Sequence, residues 1–103
     1  YLSEIKNDKI VLPFWNESEN HVFHLFVIRS INRNKLQTYL LENKIETMIH
    51  YPIPPHKQKA LFSWNNLSFP ITEKIHDEVL SIPMNATLTD VEIEHIINVL
   101  NKY

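Results

Sequence analysis

A chain of 103 residues, 44% hydrophobic and 21% charged, has the size and balance of one globular domain that buries roughly two-thirds of its unfolded surface. A net charge of −2 excludes a sequence-independent nucleic-acid binder, which needs a basic stripe, and no apolar run approaches the ~20 residues of a membrane span. The absence of Cys excludes disulfides, a thiolate nucleophile and cysteine-ligated zinc; with no visible signal peptide, the composition fits a cytoplasmic protein.

The chain opens Tyr1-Leu2-Ser3 without Met, as a fragment or a processed chain would. Residues 1–20 are mostly polar around Ile10-Val11-Leu12-Pro13-Phe14-Trp15 and read as a leading segment with one short strand, followed by a turn at 16–20. Residues 21–29 read as a strand with Val22, His24, Phe26 and Ile28 on one face and His21, Phe23, Leu25 and Val27 on the other. Both faces are largely apolar, which predicts a central strand covered on both sides. Asn32 is a suitable N-cap for a helix to about residue 42, with Leu36, Tyr39 and Leu40 as its apolar stripe. The alternation over 44–49 predicts a second strand, leading directly into residues 50–58.

Residues 56–63 read as a short helix with Pro55 at its first position. Pro70 opens a helix to about residue 77, and 79–83 read as a third strand stopped by Pro83. Thr89-Asp90-Val91-Glu92 is a capping-box pattern, and the helix it opens carries Ile93, Ile96, Ile97 and Leu100 on one stripe. The chain has no glycine, where average usage of about 7% predicts roughly seven. Left-handed helix ends therefore fall to Asn43 and the Asn65-Asn66 pair. The predicted fold is a small α/β (α+β) domain over 1–103: a mixed or antiparallel sheet of three to four strands with helices packed on it.

Without glycine the P-loop, the dinucleotide fingerprint and the nucleophile elbow are all excluded from this chain. The serines sit in no nucleophile motif. The carboxylate pairs Glu17/Glu19, Asp77/Glu78 and Asp90/Glu92 read as solvated faces. Six histidines raise a metal site, but His21 and His24 fall on opposite faces of a strand. His50 and His56 have no carboxylate or thiolate between them to complete a shell. His24 reads as a buried, hydrogen-bonded core histidine in preference to a ligand contact. Trp15 and Trp64 read as core or interface anchors.

His50-Tyr51-Pro52-Ile53-Pro54-Pro55-His56-Lys57-Gln58 stands apart. Three prolines in nine residues exclude both a central strand and a helix interior, and they stiffen a row of donors suited to phosphate or sugar hydroxyls. A pre-ordered segment loses little entropy when a ligand arrives. The residues alone leave two readings open: a ligand-binding loop at a strand end, or a structural crossover whose polar groups cap neighbouring elements.

Residues 47–60, Thr-Met-Ile-His-Tyr-Pro-Ile-Pro-Pro-His-Lys-Gln-Lys-Ala, closely resemble the small-domain signature of the sugar-nucleotide aminotransferases, the DegT/DnrJ/StrS group. The strand ending in Ile28-Arg29, the stretch Glu78-Val79-Leu80-Ser81-Ile82-Pro83-Met84 and the helix start Leu88-Thr89-Asp90-Val91-Glu92-Ile93 are similar to further motifs of that family in the same order, from about residue 10 onward. The resemblance implies the C-terminal small domain of a pyridoxal-phosphate enzyme of the aspartate-aminotransferase fold (fold type I). Such an enzyme transfers an amino group, usually from glutamate, to a nucleotide-diphosphate-linked keto-sugar for polysaccharide or lipopolysaccharide synthesis. It usually works as a dimer with active sites at the subunit interface.

It implies that His50 and Tyr51 contact the nucleotide sugar near its diphosphate, with His56 and Gln58 at the later motif positions. The His-Tyr-Pro-Ile-Pro-Pro-His form resembles enzymes acting at C-3 of deoxythymidine-diphosphate-linked 6-deoxy keto-sugars. The Schiff-base lysine is expected in a large domain that this chain lacks, so no catalytic residue and no bound cofactor are assigned here. Lys44 and Asn65-Asn66 stand where the family commonly has glycine, which leaves Asn43 or Lys44 to take the turn after the helix. The remaining alternatives are a free-standing binding module for a phosphorylated or nucleotide-linked sugar, and a purely structural domain.

Overall fold

Two antiparallel strands, β1 (Phe26–Arg29) and β2 (Val79–Ile82), form the sheet in a computed structural model that describes residues 1–16 and 19–103. Isolated bridges widen it on both sides, Val11 pairing with Arg29 beyond β1 and Met48 with Ser81 beyond β2. The expected flanking strands thus appear as single antiparallel pairings around two strands. Helix α1 (Arg33–Glu42) follows β1, α2 (Pro70–Glu78) leads straight into β2, and α3 (Asp90–Lys102) ends the chain. Between Met48 and α2 the backbone forms two 3-10 segments, Pro55–Lys57 and Lys59–Trp64, in place of the expected short helix.

The register Phe26↔Ile82 and Ile28↔Leu80 puts four apolar side chains on one face, because cross-strand partners share a face and alternate along each strand. That face packs with Leu36 and Leu40 of α1 and Ile96, Ile97 and Leu100 of α3 in one core. Each such side chain, fully buried, contributes about 1.5–3 kcal/mol. Val27↔Ser81 and Arg29↔Val79 occupy the opposite face.

Helix ends follow their local chemistry. At α3 the Thr89 hydroxyl accepts from the Glu92 N–H at 3.3 Å and the Glu92 carboxylate accepts from the Thr89 N–H at 2.8 Å. The Thr89 N–H, then the Thr89 hydroxyl donating to Glu92 Oε2 at 2.8 Å, hold the Glu92 carboxyl below its ordinary value. At the end of α1, the Lys44 and Ile45 N–H groups donate to the carbonyls of Leu41 and Leu40, a Schellman closure with Ile45 and Leu40 both buried. Its left-handed residue is Lys44 at φ 63°, not Asn43 at φ −91°. Asn65 is right-handed helical at φ −61°, and Asn66 is not among the positive-φ residues. Their expected left-handed role is corrected, since that stretch closes through side-chain donors.

Other expectations change here. The strand expected over 21–29 begins only at Phe26, because Phe23 takes φ 47° and its N–H turns back to His21 Nδ1 at 2.9 Å. That bend leaves His24 exposed, so it is not a core histidine. Trp64 is exposed. Trp15 packs edge-on against Phe23 with ring centroids 5.4 Å apart, at the margin of the core. Glu78 is buried and its Oε2 lies 2.6 Å from an Arg29 guanidinium nitrogen, so this carboxylate is an ion-pair partner and not part of a solvated face. Residues 17 and 18, within the expected turn and the Glu17/Glu19 pair, lie outside the described residues.

Candidate functional site

The polar face of the sheet positions the proline segment. Ser81, 5% exposed, pairs its backbone N–H and carbonyl with Met48. The chain then leaves the sheet, and two residues later His50 Nδ1 sits 2.9 Å from Ser81 Oγ. The His50-Tyr51 peptide bond is cis. The two rings stand edge-on at 5.5 Å. The Tyr51 side chain projects outward, 66% exposed, while its carbonyl accepts from His76 Nδ1 of α2 at 2.6 Å. A carbonyl only accepts, so His76 carries its proton on Nδ1.

The second half of the segment turns inward. His56 is 3% exposed; its Nε2 lies 2.8 Å from Glu73 Oε1, and its ring packs edge-on against Phe69 at 4.9 Å. The same Glu73 oxygen accepts the Phe69 N–H at 3.0 Å, closing the first turn of α2. The Phe69 N–H, then His56, then the charge of Lys57 hold the Glu73 carboxyl below its ordinary value of 4.5. Lys57 Nζ donates to the carbonyls of Asn65 at 2.7 Å and Leu67 at 3.0 Å, and Asn65 Nδ2 donates to the His56 carbonyl at 2.8 Å. Gln58 Nε2 donates to the Ile53 carbonyl at 3.3 Å.

His50 and Tyr51 are therefore neighbours at the open end of the segment, whereas His56 and Gln58 are engaged with the protein itself. Sequence reasoning missed the partners that hold them: Ser81, His76 and Glu73. A signal was present for each. Ser81 is the one polar residue in Val79-Leu80-Ser81-Ile82, and Glu73 and His76 are three apart on one helix, hence on one face. Among the described residues no three His, Asp or Glu side chains gather as a metal site would require, and no helix is long and apolar enough to cross a membrane.

The model of the DegT/DnrJ/EryC1/StrS aminotransferase family matches residues 1–101. The chain belongs to that family. The match begins at residue 1, so the leading segment is part of the family fold as well.

The chain is 48% identical over 103 residues to a dTDP-3-amino-3,6-dideoxy-alpha-D-galactopyranose transaminase of Aneurinibacillus thermoaerophilus, covering 100% of this chain and 28% of that protein. Among solved structures, DesV of S. venezuelae in complex with a ketimine intermediate matches with a TM-score of 0.85 and 28% identity over 98% of this chain and 27% of its own. NtdA of Bacillus subtilis with bound cofactor PMP matches with a TM-score of 0.79 and 33% identity over 90% and 22%. The chain thus spans 22–28% of the length of these relatives. Its small α/β architecture is that of the matching part of fold-type I aminotransferases.

The family is pyridoxal-phosphate dependent, but the residues of this chain do not fit a site for that cofactor. An imine-forming lysine must stand in an enclosed pocket, and every lysine here is exposed. Lys57, the one within the proline segment, is engaged with two carbonyls.

Proposed function

We propose that this chain is the C-terminal small domain of a pyridoxal-phosphate-dependent aminotransferase that aminates a nucleotide-diphosphate-linked keto-sugar. Its own contribution is to grip the nucleotide sugar through His50 and Tyr51. The observation that carries this reading is the 48% identity along the whole chain to a transaminase whose name specifies a dTDP-linked 3-amino sugar. A 3-keto, 6-deoxy sugar on deoxythymidine diphosphate is accordingly the substrate we favour.

The imidazole and phenol suit diphosphate and hydroxyl oxygens, and remote binding of this kind positions a keto carbon for reaction elsewhere. We assign His56 and Gln58 to holding the segment's shape, because His56 is buried against Glu73 and Gln58 closes on Ile53. The lysine-bearing domain, and the surface that covers exposed Phe62, Trp64, Phe69 and Ile71, would be supplied by the rest of the protein and a second subunit.

The test is amino transfer by the intact protein from glutamate to a dTDP-linked 3-keto-6-deoxy sugar, followed by chromatography of the amino-sugar nucleotide. Formation of product, reduced by His50→Ala and Tyr51→Phe through KM, is expected. Tight binding of the nucleotide sugar with no amine transferred would instead make this a binding module. An intact sequence in which these residues precede the lysine-bearing domain would contradict the C-terminal placement.

A further inference from the structure

The contact between β2 and His50 bears on where the imidazole carries its proton. Ser81 points from the polar face of the sheet, and its Oγ is buried with His50 Nδ1 as its hydrogen-bond partner among the described residues. Two arrangements satisfy a distance of 2.9 Å. Either Nδ1–H donates to the hydroxyl oxygen, or the hydroxyl donates to a bare Nδ1. The first leaves a buried hydroxyl proton without an acceptor, which costs the desolvation of an unmade hydrogen bond. The second satisfies the hydroxyl completely and leaves the imidazole proton on Nε2.

Ser81 is itself fixed: both its backbone groups are paired with Met48, and its register against Val27 is set by four consecutive cross-strand pairs. The histidine is held from the other side as well, through the next residue, whose carbonyl accepts from His76. The ring therefore has its Nδ1 edge turned to the protein, and Nε2 is the edge available to a ligand.

We propose that Ser81 is a positioning residue that keeps His50 as the Nε2–H tautomer, so that His50 presents a hydrogen-bond donor to an anionic phosphate oxygen of the nucleotide sugar. The proposal rests on the reading that His50 contacts that substrate, and deepens it: a phosphate oxygen has no proton to give, so the opposite tautomer, with a lone pair on Nε2, repels it. Ser81 thereby selects for an acceptor group at that position. Exposed Tyr51, beside the ring, is free to rotate its hydroxyl as donor or acceptor; the imidazole is not.

The test uses the intact protein labelled with 15N-histidine, with the His50 signals identified by their loss in His50→Asn. The nitrogen shifts report the tautomer in the protein with Ser81 intact, and His50→Asn, which serves the assignment alone, is valid when the other histidine signals keep their positions. An Nε2–H imidazole at His50 is expected; an Nδ1–H imidazole overturns the inference even if His50 binds substrate. In kinetics, Ser81→Ala should raise KM for the nucleotide sugar about three- to tenfold, the scale of one hydrogen bond, with kcat little changed, and Ser81→Thr should restore most of it.

His50→Ala separates the two levels of the argument. If it leaves KM unchanged, the substrate contact itself is wrong and the inference falls with it. If it raises KM while Ser81→Ala does not, the contact stands and the positioning role is wrong.

Discussion

The two halves of the proline segment carry similar chemistry and are treated differently by the fold. At the first half, His50 and Tyr51 are attached to the body through Ser81 Oγ and through a backbone carbonyl, which leaves the phenol and one imidazole edge uncommitted. At the second, His56, Lys57 and Gln58 direct their side-chain donors to Glu73, Asn65, Leu67 and Ile53. The lesson concerns backbone satisfaction. The carbonyls of Ile53, Asn65 and Leu67 flank the 3-10 turns from Pro55 to Trp64, and the Lys57 and Gln58 side chains are their donors. Around Tyr51 the donor comes from α2 instead, His76 pairing the Tyr51 carbonyl, so the Tyr51 phenol and the second His50 ring nitrogen stay uncommitted.

That contrast can be broken from the inward half first. His56→Ala removes a buried ring and its charge-assisted bond to Glu73, and should cost about 2–4 kcal/mol of local stability. Amide hydrogen exchange across residues 55–75 of the intact protein is the check: protection should fall there while α3 is unaffected. A change in KM without loss of protection would instead return His56 to the ligand side.

A smaller effect is expected at Lys44, which takes φ 63° far from the segment. Lys44→Gly should stabilise the domain by about 1 kcal/mol, since a non-glycine residue in that region costs roughly 1–2 kcal/mol and glycine gives part of this back in unfolded-state entropy. A rise in thermal midpoint with unchanged KM would separate fold strain from the site.

The smallest effect concerns acid. The Glu73 carboxyl is held below 4.5 by the Phe69 N–H and by His56. A carboxylate depressed on folding contributes stability above its unfolded value that is lost as pH falls through the folded one. Protection at the start of α2 should therefore weaken as pH drops from about 4.5 downward, and Glu73→Gln should flatten that part of the profile. An unchanged profile would contradict the role given to Glu73.

Much of this arrangement was legible in the sequence where local chemistry decides. The Thr89–Glu92 box, Pro70 at the start of α2 and the apolar stripe of α3 required only neighbours in the chain. The site was legible as a segment but not as a set of free groups. Whether His56 faces a ligand or a carboxylate depends on Glu73, 17 residues away, and whether Glu78 is solvated depends on Arg29, 49 away. The strand expected over 21–29 failed because apolar alternation gives no sign of the backbone reversal at Phe23. A glycine-free chain also conceals its left-handed residues, since Lys44 has no conformational preference that marks it out from Asn43.

The most direct test of the contrast is the KM of the intact enzyme for its nucleotide sugar in His50→Ala and in Gln58→Ala, with both proteins shown to be folded. The account predicts a rise of about tenfold for His50→Ala, the scale of a hydrogen bond to a charged group, and a change within about twofold for Gln58→Ala. Equal effects, or the reverse order, would contradict the division of the segment into a half that grips and a half that holds.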